Sequence, residues 1–212
     1  MRSFRRSVRP CALVGLFALL LPAAGAAAAP ARILFDSDIG PDCDDAGTMA
    51  VLHALADQGE AVVLGMACCT SSEWGAPCLD AINAWYGRPD VPVGTNKTKT
   101  GFLCGGGDHK YNERVAKDFP NRLKSGTNAP DAVALYRKVL AAQPDGSVTV
   151  VATGPLPNVA ALLASAPDAA SPLDGVALVK KKAYFLSNAN KLAVILNFNA
   201  DVCNVILVKE AP

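Results

Sequence analysis

Five of the ten residues from Asp36 to Asp45, DSDIGPDCDD, are aspartates, and they follow directly on the apolar run RILF. Like charges a few ångströms apart raise one another's pKa, so a cluster this dense is relieved by protons, hydrogen-bond donors or a metal ion. One aspartate beside a helix start is an ordinary N-cap, and capping accounts for one acid and at most a second. Hard oxygen ligands in a flexible loop suit calcium or magnesium far better than zinc. The spacing lacks the regular acid ladder and the distal Glu of an EF-hand. The chemistry suggested is therefore that of a divalent cation held by carboxylates, at the mouth of a strand.

Such a loop needs a scaffold, and the flanking sequence supplies one. RILFD is a short β-rich run, and DDAGTMAVLHALADQG follows with helical spacing and Gly59 as its stop. AVVLGMACC reads as a second buried strand, APCLDAINAWYG as a second helix ending at Gly87, and DVPVG as a short third strand. DAVALYRKVLAAQ, SVTVVATG, LPNVAALLAS and DGVALV continue the alternation, which makes DGVALV a strand. The pattern predicts an α/β fold, a mainly parallel sheet with helices on both faces in the Rossmann-like manner. In such sheets ligands lie beyond the carboxyl ends of the strands, and the acid cluster occupies the loop after the first, with Gly40 and Pro41 making the turn. Between Thr95 and about Pro130 no periodicity is sustained, and this Gly-, Asn- and charge-rich stretch reads as a substrate-covering loop, with a disordered excursion as the alternative.

The amino terminus has a different composition. MRSFRRSVRP carries four arginines and no acid, ALVGLFALLLP is apolar but short for a bilayer span, and AGAAAAP offers small-residue cleavage positions. Residues 1–29 are thus expected to be a secretory signal, possessing an Arg5-Arg6 pair of the kind found in twin-arginine leaders, and the product is expected to be secreted or periplasmic and free of the membrane. Removing Arg2, Arg5, Arg6 and Arg9 takes the formal net charge from +1 to about −3, a balance that gives no reason to expect a nucleic-acid partner. Residues 31–212 suffice for a single domain with a real core. Six cysteines remain after the leader, without a CxxC pair, and His53 and His109 lack zinc-site spacing. Most of these cysteines are expected to be buried apolar residues, with Cys43, inside the acid cluster, the exception.

ILFDSDIGPDCDDAGTMAVLHAL resembles the amino-terminal signature of the inosine-uridine preferring nucleoside hydrolases, usually DxDPGxDDA, in a variant with two extra residues before the acidic pair. INAWYGRPDVPVG, VTVVATGPLPNVAALLAS and NFNADV resemble later segments of that family in the same order. The resemblance implies a calcium-dependent enzyme that hydrolyses the N-glycosidic bond of ribonucleosides, and family members commonly form homo-oligomers. It implies that Asp38 is metal ligand and general base, that Asp45 and the backbone carbonyl of Thr153 are further metal ligands, and that Asp44 binds a ribose hydroxyl. Asn197 and Asn188 are implied to contact the ribose, with Asn190 nearly as good a match as Asn188. Asp36 would support the cluster, and Asp42 has no family counterpart.

The chain departs from the family in places. Ile195 stands where the glutamate of E-[FW]-N is expected, Lys181 and Lys182 align with a Gly-Gly pair after a strand, no Asn occurs from Cys69 to Ser71, and Pro157 replaces a threonine. Family members continue well beyond the equivalent of Pro212, into a part that carries another aspartate ligand and a histidine able to protonate the base. The resemblance therefore implies a member truncated at its carboxyl end. Two other readings compete: a non-catalytic protein retaining metal and ribose binding, and a metal-dependent phosphatase using Asp36-Ser37-Asp38 as a strand-end DxD. Such phosphatases take their extra acids from a distant loop, whereas here they follow at once.

Overall fold

The computed structural model describes residues 29–40, 42–70, 72–97 and 111–186, with the backbone alone at 185 and 186. Nearly all of the expected leader, and the stretch holding Asn188 and Asn197, lie outside these residues. The chain runs β1 (Ala31–Ser37), α1 (Asp44–Asp57), β2 (Ala61–Cys68), α2 (Gly75–Trp85), β3 (Val93–Thr95), α3 (Tyr111–Asp118), α4 (Ala132–Ala141), β4 (Val148–Ala152), α5 (Pro157–Leu163), α6 (Gly175–Lys182) and β5 (Ala183–Leu186). The strands form one sheet in the order β3-β2-β1-β4-β5, and each neighbouring pair is parallel.

The predicted architecture is the observed one. Successive side chains of a strand point to opposite faces, and β1, the central strand, has apolar residues on both. Ile33 and Phe35 pack with Met49, Leu52 and Leu79 of α1 and α2. Leu34 packs on the other side with Tyr136, Leu140, Leu162 and Leu178 of α4, α5 and α6. Full burial of a Leu or Phe side chain is worth roughly 1.5–3 kcal/mol, so each face supports its helical layer independently. The helices end where expected: Gly59 and Gly87 adopt φ of 74° and 73°, which favours a residue without Cβ. No helix among the described residues is long and apolar enough to cross a membrane.

Two expectations are corrected. DGVALV is not a strand: residues 175–182 form α6, because Asp174 caps it through Ala177 N (2.8 Å) and three lysines in its last turn favour the negative end of the dipole. Gly175 permits this packing, since a Cβ there would lie 1.7 Å from the Leu162 carbonyl oxygen. Lys181 and Lys182 accordingly close a helix rather than follow a strand, and the strand is the next segment, AYFL. Lys182 Nζ donates to the Gln143 carbonyl (2.7 Å) and pairs with Asp145 (2.8 Å).

The second correction concerns the stretch expected to be irregular. It contains α3, whose register is hard to read because the helix has only eight residues and its inward face mixes buried Asn112 and Ala116 with half-buried Tyr111 and Val115. Intrahelical pairs, Glu113 with Lys117 and Arg114 with Asp118, add to its support. Residues 98–110 of the same stretch lie outside the described ones.

On the other layer, Arg137 is buried at 2 % exposure and joins α4 to the α5–α6 connection. Its guanidinium donates to Ser165 Oγ (2.8 Å), Asp168 Oδ1 (3.0 Å) and the carbonyls of Ser171 (3.1 Å) and Leu173 (2.8 Å).

Candidate functional site

From β1 the chain proceeds outward through β2 to β3, then returns to place β4 on the other side of β1. The carboxyl ends of β1 and β4, where the order reverses, are the place at which open α/β sheets bind ligands. Backbone hydrogen bonds continue past the strands and align these ends: Thr153 N to the Asp36 carbonyl (3.0 Å), Cys69 N to that of Ser37 (2.8 Å), and Asn96 N to that of Cys68 (2.9 Å). The acidic loop then turns, with Ser37 Oγ accepting from Ile39 N at 3.0 Å. All five aspartates therefore lie at or just past the end of β1.

The capping explanation for these acids does not hold. Cys43 occupies the N-cap of α1 and makes no side-chain cap bond, so no aspartate is consumed in that role. Asp45 points inward and is fully buried, whereas Asp42 and Asp44 are exposed and Asp38 is half-buried. Each of Asp42, Asp44 and Asp45 offers a carboxylate oxygen, and these oxygens lie within 4.8 Å of one another. Ligands about 2.4 Å from a shared calcium ion span such separations.

Electrostatics reinforces the geometry. Burial, opposed in part by the Asn158 amide (3.1 Å to Oδ1), pushes the Asp36 carboxyl up to about 7. Burial also pushes Asp45 up to about 7, with the Asp38 and Asp44 charges adding to it and the Thr153 hydroxyl acting against it. Asp42 is raised chiefly by sharing a hydrogen bond with Asp44. The Oδ2 atoms of Asp36 and Asp45 are buried without a hydrogen-bond partner. Buried carboxylate oxygens left so are costly unless a proton or cation meets them. The donor set, all oxygen and rich in carboxylate, fits a hard divalent cation.

The sequence-derived site is brought together in part. Asp44 and Asp45 converge, with the Thr153 hydroxyl bonded to Asp45, but the third member of the triad is Asp42, which had no family counterpart, and the Asp38 carboxylate instead lies against Gly154. A Cβ on Gly154 would lie 2.6 Å from Asp38 Oδ1. The side chain of Thr153 also has work to do: its hydroxyl donates to Asp45 Oδ1 and lies 3.3 Å from the Asp36 carbonyl. Asn188 and Asn197 are outside the described residues.

Three participants escaped sequence reasoning. Asn158, in the quoted TGPLPN stretch, donates from one buried amide to Asp36 Oδ1 and to the Cys68 carbonyl (3.2 Å), tying β1 to β2. Tyr136, fully buried, brings its hydroxyl toward Asp36 without closing a hydrogen bond of normal geometry. Asn112 of α3 donates to the Ile39 carbonyl at 3.1 Å. As expected, Cys68, Cys69 and Cys78 are buried and Cys43 is exposed.

The sequence model of the inosine-uridine preferring nucleoside hydrolases matches residues 33–179 of the chain. No curated protein matches it. Among solved structures it is similar to the type III effector protein XopQ complexed with adenosine diphosphate ribose, at 18% identity and a TM-score of 0.54, covering 74% of this chain and 42% of that one. It is similar to the effector protein XOO4466 at 18% identity and a TM-score of 0.53, covering 74% and 43%. The plant nucleoside hydrolase PpNRh1 is similar at 23% identity and a TM-score of 0.50, covering 81% and 51%. The chain thus spans about half the length of these structures, which share its fold.

Proposed function

We propose, from the premise that this chain belongs to the inosine-uridine preferring nucleoside hydrolase family, that it binds calcium in the acidic loop and hydrolyses the N-glycosidic bond of ribonucleosides. One observation carries this reading: Asp42, Asp44 and Asp45 converge at the switch point, and the buried Asp45 Oδ2 has no hydrogen-bond partner. A bound calcium ion would supply a template for the ribose hydroxyls and lower the pKa of the attacking water.

The chain's own residues divide the remaining work. Asp38 accepts a proton from the water as its oxygen forms a bond to the anomeric carbon, and the electrons of the breaking C–N bond leave with the base. Asp45 holds the ion, oriented by the Thr153 hydroxyl, and the Thr153 carbonyl is a further ligand. Asp44 accepts from a ribose hydroxyl, and Asp42 adds negative charge beside it. Asn188 and Asn197 complete the ribose contacts in this proposal. The leader-like residues 1–29 support export, to be read by fractionation.

The test is release of base and ribose from inosine or uridine with calcium present, abolished by chelation and by Asp38→Ala. Absence of both base release and calcium binding in the intact chain would refute the proposal. A non-catalytic reading, metal and ribose binding without turnover, is the alternative. Calorimetric binding of ribose without turnover would select that reading.

A further inference from the structure

The amino-terminal end of α3 is built into the acidic loop. Asn112 is 7 % exposed, and its two amide atoms are both used. Oδ1 accepts from Glu113 N at 2.7 Å, and Nδ2 donates to the Ile39 carbonyl at 3.1 Å across 73 residues of chain. Ile39 is the residue after Asp38, and Gly40 precedes the segment bearing Asp42, Asp44 and Asp45. The approach is close: a Cβ on Gly40 would lie 2.9 Å from Asn112 Nδ2, inside the limit that real Cβ atoms observe. Beside it, the Tyr111 hydroxyl is buried without a hydrogen-bond partner, within the field of Asp42, Asp44 and Asp45.

We infer that Asn112 is a positioning residue for the metal-binding carboxylates: by fixing the backbone between Asp38 and Asp42 it holds the two arms of the acidic loop at the spacing a cation requires. The inference rests on the calcium-binding reading proposed above and deepens it. The physical reason lies in repulsion. The carboxyl groups crowded at this turn, Asp38, Asp42 and Asp44 beside Asp45, favour an open loop, and the loop has few anchors of its own, since Cys43 caps nothing. A buried hydrogen bond at the midpoint opposes that opening in the metal-free protein, so less of the binding free energy is spent on ordering the loop.

Calcium titration by calorimetry, together with the calcium-induced rise in Tm, tests this in the full chain. Asn112→Ala is expected to weaken calcium binding about five- to tenfold, the equivalent of one net hydrogen bond. The comparator is Asn121→Ala, which removes a similar buried amide donor, to the Ala116 carbonyl (2.7 Å), at the far end of the helix. It is expected to lower Tm while binding calcium as the unmutated chain does. Should Asn112→Ala fail to fold, Gly40→Ala attacks the same contact from the loop and is expected to show the same loss. Unchanged calcium affinity in a folded Asn112→Ala or Gly40→Ala protein, or an equal loss in Asn121→Ala, overturns the inference. Absence of calcium binding by the unmutated chain overturns the metal reading itself, and is read before any substitution is made.

Discussion

Replacing Gly154 by alanine offers a direct trial of the site. The added methyl group would lie 2.6 Å from Asp38 Oδ1, 2.7 Å from its Cγ and 2.8 Å from its Cβ. Ordinary contact begins at 3.4 Å, so about 0.8 Å of relative movement is required. Rotation of the Asp38 side chain cannot supply all of it, because Cβ is carried by the backbone and is itself too close. The end of β1 or the turn after β4 must shift, and the candidate base moves with it. A displacement near 1 Å at reacting groups costs about 10²-fold in rate, or roughly 2.7 kcal/mol of transition-state stabilisation. Gly154 does not have a left-handed φ, so alanine is tolerated by the backbone and restricts the unfolded chain slightly. The expected outcome is a hundredfold fall in kcat/KM for inosine and a smaller calcium-induced rise in Tm, with the metal-free Tm within a few degrees of the parent. A Gly154→Ala protein with parental rate and parental calcium response would refute the placement of Asp38 argued here.

Other consequences are open to measurement. Asp36 and Asp45 titrate near 7 in the folded chain against 3.8 unfolded, so the stability they lend is fully present below about pH 4 and lost as pH rises through 7. The metal-free protein should therefore lose Tm across that window, and Asp45→Asn should flatten the loss while removing the calcium response; a pH-independent difference between the two proteins would contradict it. Arg137→Met, which strands the Ser171 and Leu173 carbonyls, should destabilise by about 2–3 kcal/mol in urea unfolding without altering calcium affinity. A change under 1 kcal/mol would show that water replaces the guanidinium readily.

The fold was readable from sequence wherever periodicity and punctuation agreed. The apolar runs of β1, β2 and β4 and the stops at Gly59 and Gly87 are strong because burial on two faces leaves no choice of residue type. VALV of α6 misled because four apolar residues in succession suit a strand or a buried helix equally, and the deciding signal, the Asp174 cap, is a single side chain. The helix α3 was obscure because its eight residues carry only Tyr111, Val115 and Ala116 as apolar contacts, about two turns, too few to establish a period. In the site, the aspartates announced themselves by charge density. Asn158, Gly154 and Asn112 act through atoms brought from 122, 116 and 73 residues away in the chain (Asp36, Asp38 and Ile39 respectively), and no local pattern encodes such meetings.

The place of β1 in the sheet has one more consequence. Among the described residues it is the middle of five strands, paired on both edges, and the residues leading into the acidic loop are its own continuation. Amides of such a strand exchange with solvent only when the whole molecule opens, so an ion gripped at its tip would slow exchange throughout the sheet rather than in one loop.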